Sequence, residues 1–200
     1  MDLLELITAN WDLTWDAEPT VGTDKTGKLG HFFIEGFYNE EFKKYQDKEI
    51  RLLEIGIYKG ASLALWSKYF TKGEIIGIDI TDQRVEKYCN LDRVSCAIAD
   101  AYNPTIAKII CGHDDGSRIE DGSFDIIIDD GPHTVDTLQK CIEYYLSSLK
   151  KGGVMVLEDV QDTSWFPLLI EKVPEDFEYE CIDLRKVNQR YDDLLFVLRN

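Results

Sequence analysis

The sequence predicts an α/β fold: a seven-stranded, mostly parallel sheet with an antiparallel C-terminal hairpin and helices on both faces. Three observations predict it. From residue 51 onward, short β-branched runs alternate with longer amphipathic stretches. Several of those runs are continuously apolar, as strands covered on both faces must be. The first run leads through a glycine turn into a helical segment, the usual ligand position of doubly wound sheets.

The parallel strands are expected over Arg51–Ile57, Glu74–Ile80, Arg93–Ala99, Phe124–Asp130 and Gly153–Glu158. Helices are expected over Ser62–Phe70, Gln83–Asn90, Pro104–Ile110 and Val135–Leu149, the last with Val135, Leu138, Ile142, Tyr145 and Leu149 on one face. Asn103 and Pro104 supply an N-cap and a first-turn proline, Thr134 caps the long helix, and Lys150-Lys151-Gly152-Gly153 ends it. A helix near Trp165–Lys172 precedes two strands, Glu178–Leu184 and Asp192–Leu198, joined by a loop containing Asn188. Residues 1–50 read as a helical cap segment with an apolar stripe of Leu3, Leu4, Leu6 and Ile7, and residues 51–200 as the cofactor-binding core of a single domain.

Composition narrows the partners. Twenty-two basic against 38 acidic side chains give a net charge of −16, which repels nucleic acid and anionic membranes. The start, Met1-Asp2-Leu3-Leu4-Glu5, lacks a basic region before an apolar run, and no stretch approaches a membrane span, so a soluble, cytoplasmic protein is expected. The five cysteines (Cys89, Cys96, Cys111, Cys141 and Cys181) are odd in number and form no CxxC pair, as expected of reduced thiols, most of them small core residues.

The segment Leu52-Leu53-Glu54-Ile55-Gly56-Ile57-Tyr58-Lys59-Gly60-Ala61-Ser62 is a strand, a glycine turn and a helix start. Gly56 and Gly60 let backbone approach a ligand. The Glu-x-Gly-x-x-x-Gly spacing departs from the GxGxxG of dinucleotide sites, which argues against a nicotinamide enzyme. Asp79 ends the second strand, where a carboxylate can accept ribose hydroxyls. The loop resembles motif I of class I S-adenosylmethionine (SAM) methyltransferases, whose Rossmann-like fold has the same chain order. That resemblance implies cofactor contacts from Glu54, Gly56, Tyr58, Gly60 and Asp79, with Asp100 and Ala101 near the adenine.

The fourth and fifth strands each end in paired carboxylates, Asp129-Asp130 and Glu158-Asp159. Neighbouring strand ends lie about 5 Å apart, so these pairs cannot converge without a compensating cation. Oxygen ligands favour Mg²⁺, Mn²⁺ or Ca²⁺ over zinc. Asp-Asp-Gly-Pro-His at 129–133, Gly-Gly-x-x-x-x-Glu-Asp-x-Gln-x-x-x-Trp at 152–165, Gly22-Thr23-Asp24-Lys25 and His31 together resemble the metal-dependent macrolide sugar O-methyltransferases of the mycinamicin type. The resemblance implies metal ligation by Asp130, Glu158 and Asp159, and proton removal by His133. It also implies that Thr23 and Lys25 fold over the methionine carboxylate of SAM. Adjacent strand residues point to opposite faces, so strand geometry lets either Asp129 or Asp130 face the metal; the expectation adopted is Asp130 at the metal and Asp129 on the cofactor side.

The leading expectation, by that resemblance, is a SAM- and Mg²⁺- (or Mn²⁺-) dependent O-methyltransferase acting on a hydroxyl of a sugar in a glycosylated natural product or glycan, with a small-molecule or glycoside acceptor. Two alternatives stay open: a catechol-type metal-dependent methyltransferase, and a non-catalytic SAM-binding subunit. A homo-oligomer is compatible with either. Trp11, Trp15, Trp165 and Tyr191 are candidate acceptor-pocket aromatics, and His31 reads either as substrate contact or as packed structural histidine.

Overall fold

The computed structural model describes residues 1–112 and 123–200. Its strands are β1 (Arg51–Ile55), β2 (Glu74–Asp79), β3 (Val94–Ile98), β4 (Phe124–Asp129), β5 (Leu149–Leu157), β6 (Glu178–Asp183) and β7 (Leu194–Arg199). They form one sheet in the order β3-β2-β1-β4-β5-β7-β6. The first five are parallel, and β7 runs antiparallel between β5 and β6. The strand order reverses between β1 and β4, the crevice at which sheets of this kind bind ligands.

Eight α-helical segments surround the sheet among the described residues: α1 (Leu3–Ala9), α2 (Asn39–Glu41), α3 (Ala61–Tyr69), α4 (Glu86–Cys89), α5 (Pro104–Ile110), α6 (Val135–Tyr145), α7 (Trp165–Ile170) and α8 (Arg185–Asn188). Two apolar cores lie on its opposite faces. One gathers Leu52, Ile126, Ile128, Val154 and Val156 under α1, α3 and the helical turns of residues 34–45; the other gathers Leu53, Ile127, Met155 and Leu157 under α5, α6 and α7. Alternate residues of β1, β4 and β5 thus feed opposite cores, which accounts for their unbroken apolar runs.

Several expected boundaries move. The long helix ends at Tyr145, followed by a 3₁₀ turn over Leu146–Ser148, and Lys150 to Gly153 lie inside β5 rather than terminating the helix. Leu149 pairs with Phe124, so strand pairing captures this segment, and a register shift between Phe124 and Ile126 accommodates Gly152 at φ +77°. The fourth helix shortens to Glu86–Cys89, and the turn holding Asn188 is the short helix α8. Residues 1–50 are only partly helical: beyond the 3₁₀ turn at Trp11–Leu13, the chain to Phe33 is irregular, tied by a bridge between Thr14 and Thr23. Only Cys111 and Cys141 are buried; Cys89 and Cys96 are partly covered and Cys181 is exposed, with all five thiols free. Among the described residues, no helix is long and apolar enough to cross a membrane.

Candidate active site

A cavity of about 680 Å³ opens at the carboxyl ends of β1 to β4. Gly56 (φ +83°) and Gly60 (φ +89°) shape its floor. A Cβ on Gly56 would collide with the Asp130 backbone carbonyl, and one on Gly60 with the Cys89 sulfur, so the turn after β1 admits only glycine at both places. Asp79 Oδ2 accepts the backbone N–H groups of Ile57 (3.1 Å) and Tyr58 (2.9 Å), which locks that turn against the end of β2. Tyr58 itself holds a left-handed backbone at φ +45°.

Of the expected cofactor residues, Thr23, Gly56, Tyr58, Gly60, Asp79, Asp100 and Ala101 line the cavity, and Lys25, Glu54 and Asp129 do not. Glu54 is fully buried, accepting from Trp66 Nε1 at 3.1 Å and facing Lys25 Nζ at 3.4 Å. Burial pushes its carboxyl up to about 7, against the opposing pull of Lys25. Asp129 turns to the α6 face of the sheet and accepts the Tyr102 hydroxyl at 2.6 Å. Burial raises its carboxyl to about 6. Tyr102, a cavity residue that sequence reasoning missed, is thus the group through which Asp129 bears on the cavity.

The acidic strand ends do converge. Asp130 and His133 line the cavity, and His133 Nε2 lies 3.6 Å from Asp130 Oδ1 and 3.5 Å from Asp159 Oδ2. These three side chains each offer a ligand atom within 4.8 Å of the others. His133 (φ +51°) and Asp159 (φ +53°) both stand on left-handed backbone, a strained state for side-chain-bearing residues that often marks functional positions. Asp159 Oδ1 is buried without a hydrogen bond, and burial with the neighbouring Asp130 and Glu158 charges raises its carboxyl well above the usual range. The oxygen-rich donor set, the orphaned Asp159 oxygen and this unmet negative charge fit a hard divalent cation.

Glu158 is placed differently from its two expected co-ligands. It is buried, and Lys25 Nζ and the Tyr38 hydroxyl both donate to its carboxylate. Lys25 also donates to Asp130 Oδ2 at 2.7 Å. Burial opposes the charge on Lys25, but Asp130, Glu158 and Glu54 outweigh it and hold the ammonium well above its ordinary pKa. The lysine therefore serves the acidic strand ends and not the cavity wall. His31, buried and stacked on Phe33, lies between Asp193 Oδ1 (2.8 Å from Nδ1) and Asp159 Oδ1 (3.2 Å from Nε2), behind the cavity. Of the four candidate aromatics, Trp15 lines the cavity; Trp11, Trp165 and Tyr191 do not.

The chain is similar to known proteins. The profile of the methyltransferase domain family matches residues 53–160, from β1 through the end of β5. The chain belongs to this family. Demethylmacrocin O-methyltransferase of Streptomyces fradiae is 31% identical over 150 residues, covering 72% of this chain and 35% of that protein. L-olivosyl-oleandolide 3-O-methyltransferase of Streptomyces antibioticus is 33% identical over 150 residues, covering 72% and 36%. Among solved structures, MycE methyltransferase of the mycinamycin biosynthetic pathway, in complex with Mg, SAH and mycinamycin VI, superposes with a TM-score of 0.62 at 27% identity, covering 84% of this chain and 39% of that one. The methyltransferase chain thus spans about a third of the length of its curated relatives.

Proposed function

We propose that this methyltransferase-family chain transfers a methyl group from SAM to a sugar hydroxyl of a glycosylated small molecule, with a divalent cation at the ends of β4 and β5. The observation that carries the reading is the meeting of Asp130, His133 and Asp159 at one edge of a cavity built on the β1 glycine turn. The relatives named as sugar O-methyltransferases, and MycE with Mg and SAH, support the same chemistry.

SAM, when bound, supplies a methyl group on a positively charged sulfur. The chain's task is then largely positional, because alignment of the two reacting atoms can contribute several kcal/mol to lowering the barrier. Gly56, Gly60 and Asp79 hold the donor end of the cavity, with Asp100 and Ala101 at its far wall. A cation held by Asp130 and Asp159, with Glu158 beside them, would stabilise negative charge on the acceptor oxygen. His133 Nε2 faces the same place and takes the hydroxyl proton as the oxygen lone pair forms the new O–CH₃ bond and the S–CH₃ electron pair returns to sulfur. An alkyl hydroxyl is too weak an acid to react without such a base.

The test is methyl transfer from radiolabelled SAM to a panel of deoxysugar glycosides. Activity that disappears with EDTA and returns with Mg²⁺ is expected. Turnover indifferent to EDTA refutes the metal role, and transfer only to catechols refutes the sugar assignment.

A further inference from the structure

Lys25 occupies an unusual position for a lysine. It is 1% exposed, and its ammonium contacts three carboxylates: Asp130 at 2.7 Å, Glu54 at 3.4 Å, and Glu158. Glu54, Asp130 and Glu158 end three adjacent strands or lie in the turns after them, so a single cation joins the edges of β1, β4 and β5. The Tyr38 hydroxyl donates to the second Glu158 oxygen, which leaves both oxygens of that carboxylate engaged. The ligand atoms not engaged by Lys25 are Asp130 Oδ1 and Asp159 Oδ2, both facing His133, while the orphaned Asp159 Oδ1 lies toward His31.

We propose that Lys25 is a built-in counter-ion of the acidic site, which competes with the divalent cation for Asp130 and Glu158 and so sets its affinity. The inference rests on reading this site as a metal site. Without an internal cation, the buried carboxylates of Glu54, Glu158 and Asp159 and the partly buried one of Asp130 would repel one another and destabilise the metal-free fold. With it, the metal-free protein is held together, but an incoming cation meets a fixed positive charge on the far side of its ligand Asp130 and of Glu158 beside it. Metal binding is weakened in exchange for a preformed site. The neighbours of Lys25 in sequence, Thr23 and Asp24, line the cavity, so the same short segment touches both the cation site and the donor space.

Titration calorimetry with Mn²⁺ alone tests this on the wild-type chain and on Lys25→Met, which keeps the length and removes the charge. The variant should bind Mn²⁺ at least tenfold more tightly, and its metal-free melting temperature should fall and be recovered by Mn²⁺. Unchanged or weaker binding by a folded Lys25→Met, with the wild type binding, overturns the counter-ion role and leaves the metal reading intact. Binding by neither protein overturns both. If Lys25→Met does not fold, the wild type decides: a solvent-protected lysine ammonium signal in ¹H–¹⁵N NMR, shifting as Mg²⁺ saturates the site, supports the role. Absence of that signal, or no shift on saturation, overturns it.

Discussion

His133 and Asp159 share an edge of the site, and each holds its side chain there from a left-handed backbone. Removing the proposed base should be costly to chemistry and nearly neutral to folding: His133→Ala is expected to lower kcat by about 10²- to 10⁴-fold with an unchanged melting temperature. A kcat within threefold of wild type would show that another group takes the proton. At Gly56 the prediction is steric. Gly56→Ala places a methyl against the Asp130 carbonyl on backbone at φ +83°, so it should abolish SAM binding by calorimetry and destabilise the fold by more than about 1 kcal/mol. Residues of this kind were legible in the sequence because each sits in a contiguous motif at a strand end. Their partners were not. Lys25 meets Asp130 across 105 positions and Glu158 across 133, and nothing near Tyr38 or Asp193 in the sequence signals the carboxylate or imidazole that each reaches.

At the scale of elements, the alternation of strand and helix was readable because β1, β4 and β5 are covered on both faces and so carry unbroken apolar runs. Errors arose where tertiary pairing overrides local signals. Lys150 to Gly153 have the composition of a helix end, yet the pairing of Leu149 with Phe124 draws them into β5, where Lys150 Nζ meets Asp125 at 2.8 Å. The irregular stretch between Leu13 and Phe33 gave no periodic signal, because it is fixed by remote contacts such as Lys59 Nζ to the Thr20 carbonyl and Asn188 Nδ2 to the Gly30 carbonyl. The N-caps were read correctly. Thr134 and Thr137 form a reciprocal capping box at the start of α6, the helix that closes the second core. Thr134→Ala should therefore cost about 1 kcal/mol, read as a lower denaturation midpoint at unchanged slope. A midpoint equal to wild type would place the end of α6 under the control of packing alone.

Across the whole molecule, the site exists because the strand order reverses between β1 and β4, so that the turn after β1 lines the cavity and the ends of β4 and β5 gather the acids. The same gathering leaves buried titratable groups that link folding to pH. Burial lowers His31 to about 3 from an ordinary value of 6.5. A base whose folded pKa is depressed contributes stability that is present above the unfolded pKa and lost as pH falls toward the folded one. The His31 contribution should thus be lost between pH 6.5 and pH 3, so His31→Gln should lose less melting temperature than the wild type over that window. Asp193, raised to about 6 by burial and 2.8 Å from His31, acts with the opposite sign, so the difference between the two proteins reports the His31–Asp193 pair. Parallel curves would show that His31 does not titrate across folding.

On the proposed function, the ends of β4 and β5 hold a divalent cation beside the donor cavity. Crystals grown with SAH and Mn²⁺, measured at the manganese absorption edge, test it most directly. An anomalous peak about 2.2 Å from carboxylate oxygens of Asp130 and Asp159 is expected, with SAH against the Gly56 turn. A structure with SAH bound and no peak at Asp130 and Asp159 would contradict the account.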